Sequence, residues 1–481
     1  MKKIFAGFLV LTSLFLLVGC EKKDPTKGRV IPAGQNYKMQ IWTAEEGDAI
    51  EALGREFISA SKAAGLQIKV VKFSSEEFLQ KTLLDQMAEG KGPDVVFTTG
   101  EWIYKNKNKL VPLTQSEGIT ADRFAATFVT AAGEAMVQNG EIYGVPIAVD
   151  SLGIIYNEDH LISRLLDRNS PGETWQEFRQ DTEKLTKQDN SITRFTVSGA
   201  AIGRTDNLNY GFEILENIML QMGTKFFTPE GLQAKFASSV GVLPNGQRKN
   251  FGEEAVNFFT SFAKPQYKNY SWNELLASKD DNSRDFKTFL QGKVSMIFGY
   301  SRDLAKLKQM LANWNIRDKA PISEKNIRVD FFPQMENSTK LVVANVLGFA
   351  VPKTAPHPDL SWKMLKYLAK KEVATSFHNA TKLPTARLDL IVEQSAEPDY
   401  GFFVRQAKFA KNNFFPIPRE EVKKSLSALI QEIVNKKATD SLKYLKNLEM
   451  KFNKKLKEYE KLQKLIQRPV KKTPPQNPAK K

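Results

Sequence analysis

Cys20 is the one cysteine in this sequence of 481 residues, and its position limits how the chain can be stabilised. It directly follows residues 4–19, a nearly uncharged and mostly apolar stretch that begins after Met1-Lys2-Lys3. A basic start, a short apolar core and a small residue before the cut are typical of a secretory signal. With its sole thiol at the end of the signal, the exported chain can form no internal disulfide bond. Its fold must therefore depend on hydrophobic cores alone.

The residues around Cys20 add a membrane anchor to this prediction. Leu17-Val18-Gly19-Cys20 resembles the lipobox of bacterial lipoproteins. The resemblance implies that residues 1–19 are a lipoprotein signal peptide, that the Cys20 thiol is acylated, and that the protein is extracytoplasmic and lipid-anchored to the bacterial cell membrane. The apolar run is shorter than the ~20 residues that a membrane-spanning helix needs. The alternatives are an uncleaved N-terminal anchor helix, or a signal whose cysteine is incidental.

Length and charge restrict the class of protein further. Cleavage before Cys20 leaves 462 residues, more than the ~250–300 at which a single core stops growing, so two lobes are expected. The net charge is +16, and residues 419–481 hold 18 Lys and Arg against 7 Asp and Glu. An exported chain rarely meets nucleic acid, so we expect no nucleic-acid partner. The basic segment favours an anionic membrane or envelope surface, or is simply a solvated helix face.

The first part of the mature chain alternates between strand and helix patterns. After a polar tether at 20–37, the spacing of apolar residues predicts strands at 38–43, 66–73 and 94–98. Helices are predicted between them, at 45–64 and 75–89. This alternation indicates βαβ units and a parallel sheet, and so an α/β fold.

The pattern changes at residues 143–157, where two apolar, strand-like runs meet at Asp150 with no helix between them. A strand that crosses between two lobes would have this pattern. Further strands are predicted at 293–298 and 341–351. Further helices are predicted at 174–187, 209–222, 253–263, 285–291, 359–371 and 420–467. The last of these carries a break near Thr439, and residues 468–481 are predicted to be a disordered basic tail.

Five segments in this order resemble the bacterial extracellular solute-binding proteins of the sugar-binding group, the receptor subunits of ABC importers, which include maltose-binding protein. They are Ile41-Trp42-Thr43, GKGPDVVFTTGEW at 90–102, YGVPIAVDSLGIIYNEDHL at 143–161, FLQGKVSMIFGY at 289–300, and LGFAVPKTAPHPDLSWKMLKYLA with LPTAR within 347–387. The third is the most specific. The resemblance covers nearly the whole mature chain, although residues 225–285 match weakly.

The resemblance implies a two-lobe type II periplasmic-binding-protein fold with a hinge and an inter-lobe cleft. Lobe one would comprise 38–149 and 340–387, and lobe two 150–339 and 388–467. It also implies a monomer that captures a small solute, expected to be a carbohydrate, and delivers it to ABC permease subunits without a cofactor. The alternatives are an adhesion or signalling protein that keeps the fold, and a receptor for another solute such as a polyamine.

Candidate ligand contacts follow from the chemistry of sugars, whose C–H faces stack on aromatic rings and whose hydroxyl groups pair well with carboxylates. Glu46, Glu101 and Asp150 match positions where the family has sugar-binding acids. Tyr210 and Tyr300 match stacking aromatics. The predicted site is Glu45, Glu46, Glu101, Trp102, Asp150, Tyr210, Tyr300 and Asn345. The structural alternatives are helix-start acids for Glu45 and Glu46, a surface or hinge-packing tryptophan for Trp102, and core packing for Tyr210 and Tyr300.

Enzymatic function is less compatible with the sequence. His160, His357 and His378 are far apart, and metalloprotease, CxxC, GxSxG and Walker motifs are absent from the sequence. We therefore expect no catalytic residues and no metal built on histidine. A glycosidase using paired carboxylates, and a calcium site made only of oxygen ligands, remain as alternatives.

Overall fold

The structure is a computed structural model. It describes residues 36–466 except 63–64, 114–118, 166, 190–193, 243–247, 315–320 and 437–439, and only the backbone of 462–466. The predicted signal peptide, Cys20, almost all of the predicted tether and the predicted basic tail at 468–481 lie outside the described residues. Within the described ranges, no helix is both long and apolar enough to cross a membrane.

Strands and helices are numbered in chain order. The strands are β1 (Tyr37–Thr43), β2 (Leu66–Lys72), β3 (Val95–Thr99), β4 (Val137–Gln138), β5 (Glu141–Ile142), β6 (Gly144–Asp150), β7 (Gly153–Asn157), β8 (Lys187–Gln188), β9 (Phe195–Ala200), β10 (Val240–Val242), β11 (Arg248–Asn250), β12 (Val294–Gly299), β13 (Ile327–Asp330), β14 (Val342–Val343), β15 (Asn345–Ala350) and β16 (Ala410–Lys411). The helices are α1 (Gly47–Ser61), α2 (Glu76–Ala88), α3 (Gly100–Lys105), α4 (Ala121–Thr127), α5 (Thr130–Met136), α6 (Glu158–Ile162), α7 (Trp175–Leu185), α8 (Gly211–Gln221), α9 (Phe251–Ser261), α10 (Arg284–Leu290), α11 (Ser301–Ala312), α12 (Pro358–Leu368), α13 (Lys371–Thr381), α14 (Ile391–Gln394), α15 (Tyr400–Gln406), α16 (Arg419–Asn435) and α17 (Ser441–Ile466).

The sheet of lobe one has the strand order β2-β1-β3-β15-β6. Helices α1 and α2 connect β1, β2 and β3, which run parallel, as a crossover connection requires. β15 returns from a distant part of the sequence and pairs antiparallel with both β3 and β6. The predicted α/β class and the parallel order of the first three strands are therefore confirmed.

The sheet of lobe two has the order β13-β7-β12-β9-β8. Its central strand β12 runs parallel to β9 and antiparallel to β7. Neighbouring side chains of β12 point to opposite faces, as a strand demands. Ile297 packs in a cluster confined to lobe two, whereas Phe298 belongs to the larger apolar cluster that also contains Ile41 of lobe one. The hydrophobic core is therefore continuous between the two lobes.

The lobes are joined by crossing segments. The chain passes from β6 to β7 through Ser151 and Leu152 alone, which confirms the predicted crossover at Asp150. It returns after β13 through β14 into β15. It leaves the first sheet again after Thr385, which forms a bridge with Ala148. The exact lobe boundaries given above stay a prediction.

Buried amide side chains satisfy the irregular backbone of these crossings. Gln406 is fully buried, and its Nε2 donates to the Ser151 hydroxyl at 2.9 Å and to the Leu152 carbonyl at 3.0 Å. Its Oε1 accepts from the Phe332 amide at 2.8 Å. One side chain therefore ties two crossing segments together, and a buried polar backbone needs such partners. The hinge region is thereby fixed without long regular elements.

Candidate ligand-binding site between the lobes

Most predicted site residues lie at the carboxyl ends of parallel strands. Glu45 and Glu46 follow β1, and Glu101 follows β3. In lobe two, Tyr300 follows β12, and Tyr210 lies at the end of the loop that follows β9. The carboxyl ends of parallel strands meet at one edge of a sheet, where ligands of open α/β sheets bind. The two edges face each other, because side chains from one edge contact side chains from the other.

The first of these contacts joins Glu45 to Arg302. Glu45 forms an ion pair with Arg302, the second residue of α11, across 257 positions of sequence. Both side chains are partly exposed, at 38% and 29%. Glu46 lies beside them with a left-handed φ of 56°. That backbone conformation ends the extended chain, and α1 starts at Gly47, two residues later than predicted.

A second contact centres on Glu101. Its carboxylate pairs with Lys105 at 2.7 Å and lies 3.7 Å from Arg419, the first residue of α16. Lys105 also donates to the Ile417 carbonyl at 3.0 Å. Arg419 in turn pairs with the fully buried Glu216 of α8. The segment before α16 is thus bound to lobe one on one side and to α8 on the other.

Tyr210 and Tyr300 pack against each other between these ion pairs. Their rings form an edge contact with centroids 5.0 Å apart, and the Arg302 guanidinium lies 5.7 Å from the Tyr300 ring centroid. Tyr300 is 9% exposed and precedes α11. Burial and the negative charge of Glu213 raise the pKa of Tyr300, so its hydroxyl stays a neutral hydrogen-bonding group at neutral pH.

Asp150 has the partner that an acid in an apolar stretch requires. Its carboxylate accepts from the Ser151 amide at 2.9 Å, and from the amide and hydroxyl of Ser301 at 3.1 and 2.8 Å. The acid therefore anchors the N-terminus of α11, where a negative charge is favoured. Burial raises its pKa to about 7, while the Ser301 hydrogen bond and Arg302 act in the opposite direction. Asn345 is half-buried and pairs with Asp150 in the β15–β6 register.

Trp102 does not lie open to the other lobe. It is 5% exposed and packs in the core of lobe one. Its indole Nε1 is buried and has no hydrogen-bond partner among the described residues. Its role as a ligand contact stays a prediction.

Glu213, Arg302 and Arg419 also lie at this site, although the sequence patterns did not indicate them. Glu213 lies in the first turn of α8, three residues after Tyr210. Its Oε1 pairs with Lys423 at 2.7 Å. Its Oε2 is buried without a hydrogen-bond partner among the described residues. A search for acids directly after strands passes over Glu213 because it lies on a helix. Arg302 and Arg419 each lie at the start of a helix, and their cross-lobe partners Glu45 and Glu101 are hundreds of residues away, so no local pattern indicates them.

The histidines have separate structural surroundings. His378 is 2% exposed, with Nε2 2.9 Å from Glu397 and Nδ1 2.7 Å from the Leu383 carbonyl. His160 Nδ1 lies 3.0 Å from the Ser295 hydroxyl, and the His357 ring makes an edge contact with Tyr37. Among the described residues, no group of three or more His, Cys, Asp or Glu side chains is placed to hold a metal ion.

Two cavities lie away from this site. One of about 260 Å³ in lobe one is lined by Phe124, Trp362 and their neighbours. One of about 480 Å³ in lobe two is lined by Lys225, Phe251 and their neighbours. Neither contains a predicted site residue.

Comparisons with known proteins agree with this architecture. A family model for bacterial extracellular solute-binding proteins matches residues 57–400. The maltodextrin-binding protein MdxE of Bacillus subtilis is 24% identical over 387 residues, covering 78% of this chain and 79% of the relative. The maltooligosaccharide ABC transporter solute-binding lipoprotein of Streptococcus pneumoniae is 27% identical over 156 residues, covering 32% of this chain and 34% of the relative.

A solved structure extends the likeness to nearly the whole fold. The sugar-binding protein MalE from Xanthomonas citri superposes with a TM-score of 0.71 at 15% identity, covering 89% of this chain and 99% of that one. At this identity the likeness concerns the fold, which is the two-lobe periplasmic-binding-protein fold. The family model spans well over half of the sequence. The chain therefore belongs to the bacterial extracellular solute-binding protein family.

Proposed function

We propose that this protein is a lipid-anchored, extracytoplasmic receptor of an ABC importer that binds a carbohydrate of the maltodextrin class between its lobes. The receptor releases the solute unchanged to the permease, acts as a monomer and catalyses no reaction. Its family membership and the names of its relatives in Bacillus subtilis and Streptococcus pneumoniae support this role. The sequence around Cys20 supports the anchor.

The single observation that carries the proposal is the buried Oε2 of Glu213. An acceptor buried without a donor costs about 1–3 kcal/mol, so the site favours a ligand that brings a donor. Glu213 lies beside Tyr300 and Tyr210, whose rings provide apolar surface. A sugar offers hydroxyl donors and a C–H face together, and so matches both groups.

The charges of the site favour a neutral ligand over a polyamine. Four carboxylates at the meeting edges each have a cationic partner: Glu45 with Arg302, Glu101 with Lys105, Glu213 with Lys423, and Glu216 with Arg419. A polycation would have to displace these partners. A neutral polyhydroxy ligand can hydrogen-bond to the paired groups without separating charge. Glu45, Glu46, Glu101, Trp102, Asp150, Tyr210, Tyr300 and Asn345 remain proposed ligand contacts, and Glu213 joins them.

Ion pairs between the two lobes suggest how a ligand would favour lobe closure. Arg302 and Arg419 belong to lobe two, and their partners Glu45 and Glu101 belong to lobe one. A ligand that contacts groups on both edges stabilises the closed arrangement, as in hinge-closing proteins. The closed outer shape is then available for recognition by a permease.

Isothermal titration calorimetry with maltotetraose tests the proposal. The chain from Glu21 to Lys481 omits only residues before the described fold. We expect one binding site in the unmodified chain. Glu213→Gln should weaken binding roughly tenfold or more, because a hydrogen bond to a charged group contributes ~1.5–3 kcal/mol.

Glu254→Gln is the matched control. Glu254 is also a lobe-two glutamate paired with a lysine, at 3.0 Å from Lys249, but it is 45% exposed on α9. We expect its affinity to be unchanged. The proposal would be contradicted if maltotetraose gave no heat of binding while spermidine or an envelope polymer bound. Binding of spermidine would favour the polyamine alternative, and binding of an envelope polymer the adhesion alternative. Shortened maltodextrin chains in the calorimeter cell after the titration would indicate a glycosidase.

A further inference from the structure

The longest helix, α17, has one face that the proposed transport role does not use. Its inner face packs on the domain through the buried side chains of Leu445, Phe452 and Leu456. The opposite face carries five exposed lysines in steps of three, four or eight residues. These are Lys443, Lys446, Lys454, Lys457 and Lys461, which we term the lysine stripe. At 1.5 Å per residue, the stripe is about 27 Å long.

Three acidic residues belong to α17, and none of them lies on the line of the stripe itself. Glu449 points inward, where its carboxylate accepts from the backbone amides of Ala237 and Ser238 at 2.6 and 3.0 Å. By helical spacing, Glu458 borders Lys454 and Lys461, and Glu460 borders Lys457, so these two acids lie on the flanks of the stripe. Lys455, which is also outside the stripe, pairs with Glu421. Glu253 of α9 lies near Lys446, and the stripe keeps an excess of positive charge, with five lysines against the three acids of α17.

An exposed apolar residue, Met450, lies between the lysines of the stripe, and a purely electrostatic binding surface would not need it. Met450 is 63% exposed and lies one helical turn from Lys446 and one turn from Lys454. We propose that the lysine stripe and Met450 bind the surface of an anionic phospholipid membrane, with the lysines on the lipid phosphates and Met450 at the boundary with the acyl chains.

A membrane fits these observations better than a soluble polyanion. The stripe runs along the convex surface of one helix. It can therefore recognise the charge of a partner but not a particular shape. A lipid surface presents negative charge over any length, and lysines near it each contribute attraction. An exposed methionine gains from contact with acyl chains but gains nothing from a soluble polyphosphate. The lipid on Cys20, if the proposed anchor is correct, keeps α17 near such a surface.

Vesicle co-sedimentation tests this inference without the anchor. The chain from Glu21 to Lys481 is mixed with vesicles of phosphatidylcholine that contain about one-third phosphatidylglycerol, at about 0.1 M salt. We expect binding to these vesicles and none to pure phosphatidylcholine. Changing all five stripe lysines to Gln should lower the vesicle affinity at least about tenfold, since each lysine near an anionic surface contributes a factor of about five. Arginine at the same five positions should preserve binding.

The matched control removes the same charge from another surface. Lys38, Lys69, Lys81, Lys363 and Lys371 are all exposed on lobe one, and changing these five to Gln should leave the vesicle affinity within about threefold. Equal losses in both variants, or no vesicle binding by the unmodified chain, would overturn the inference.

Met450→Ser should weaken vesicle binding but not the binding of soluble polyphosphate. Unchanged vesicle binding by Met450→Ser, with tight binding of polyphosphate, would assign the stripe to a soluble polyanion instead. None of these outcomes depends on sugar binding.

Discussion

Single buried carboxylates decide how the meeting edges of the two lobes are held. Asp150 binds the first turn of α11 through Ser301, and Glu216 pairs with Arg419 at the start of α16. Each acid thereby fixes the start of a helix whose arginine, Arg302 in α11 and Arg419 in α16, faces lobe one. The arrangement of the meeting edges therefore depends on buried acids whose own oxygens already accept hydrogen bonds.

Asp150 should make the stability of the protein depend on pH. Its pKa is about 7 in the folded protein, whereas an unfolded aspartate titrates near about 4. Between these values the unfolded chain loses the proton and the folded chain keeps it, so the free energy of unfolding falls as the pH rises. Asp150→Asn removes this titration. The stability of the unmodified protein relative to that of the variant should be lower at about pH 7.5 than at about pH 4.5, by at least about 1 kcal/mol.

Urea denaturation of both proteins at the two pH values measures this difference. The comparison cancels the titration of every other group, provided that the variant keeps the same fold. A stability difference between the two proteins that is independent of pH would show that Asp150 ionises in the folded protein as it does in the unfolded one.

The sequence could indicate the acids of the site but not their partners. Asp150 was predictable because it interrupts an apolar run, and Glu45 and Glu101 because they follow recognisable strands. Arg302 and Arg419 were not predictable, because their partners lie in the other lobe and hundreds of residues away. A side-chain pair across a cleft leaves no local pattern. For the same reason, the ligand roles of the eight predicted residues remain predictions.

Helix α16 begins with a residue that contacts both lobes. Its first residue, Arg419, pairs with Glu216 of α8 and lies 3.7 Å from Glu101 of α3. Just before it, Phe414 stacks on Tyr104 with centroids 4.4 Å apart. The start of α16 is therefore a contact point of lobe two with lobe one.

Arg419→Met should destabilise the protein strongly. The substitution leaves Glu216 fully buried with Asn413 as its remaining side-chain donor, at 2.7 Å. Breaking a buried ion pair on one side costs about 3–5 kcal/mol. Thermal or urea unfolding measures the loss.

Lys436→Met is the control, on the same helix's C-terminal side. Lys436 pairs with Glu432 at 2.6 Å, but both side chains are largely exposed, so its loss should cost no more than ~0.5 kcal/mol. Equal effects of the two substitutions would contradict the structural role assigned to Arg419.

Elements differed in how well the sequence predicted them. β1 and β2 were predictable from alternating apolar and polar residues, and β3, β6 and β7 from runs of mostly apolar residues. The two-residue strands β14 and β16 were not, since they exist only because distant segments pair at the hinge. The break between α16 and α17 was predicted near Thr439, which lies outside the described residues.

For the whole molecule, the length and the absence of disulfides predicted two lobes with apolar cores, and the structure has two five-stranded sheets whose carboxyl edges face each other. The family match and the fold both agree with a receptor that closes on its ligand. The central claim is that the ligand binds between these edges.

A crystal structure of the chain from Glu21 to Lys481 with saturating maltotetraose tests that claim most directly. The account predicts a sugar between the lobes, with a hydroxyl group donating to Glu213 and a ring face on Tyr210 or Tyr300. A sugar bound in another part of the molecule, or no sugar between the lobes at saturation, would contradict it.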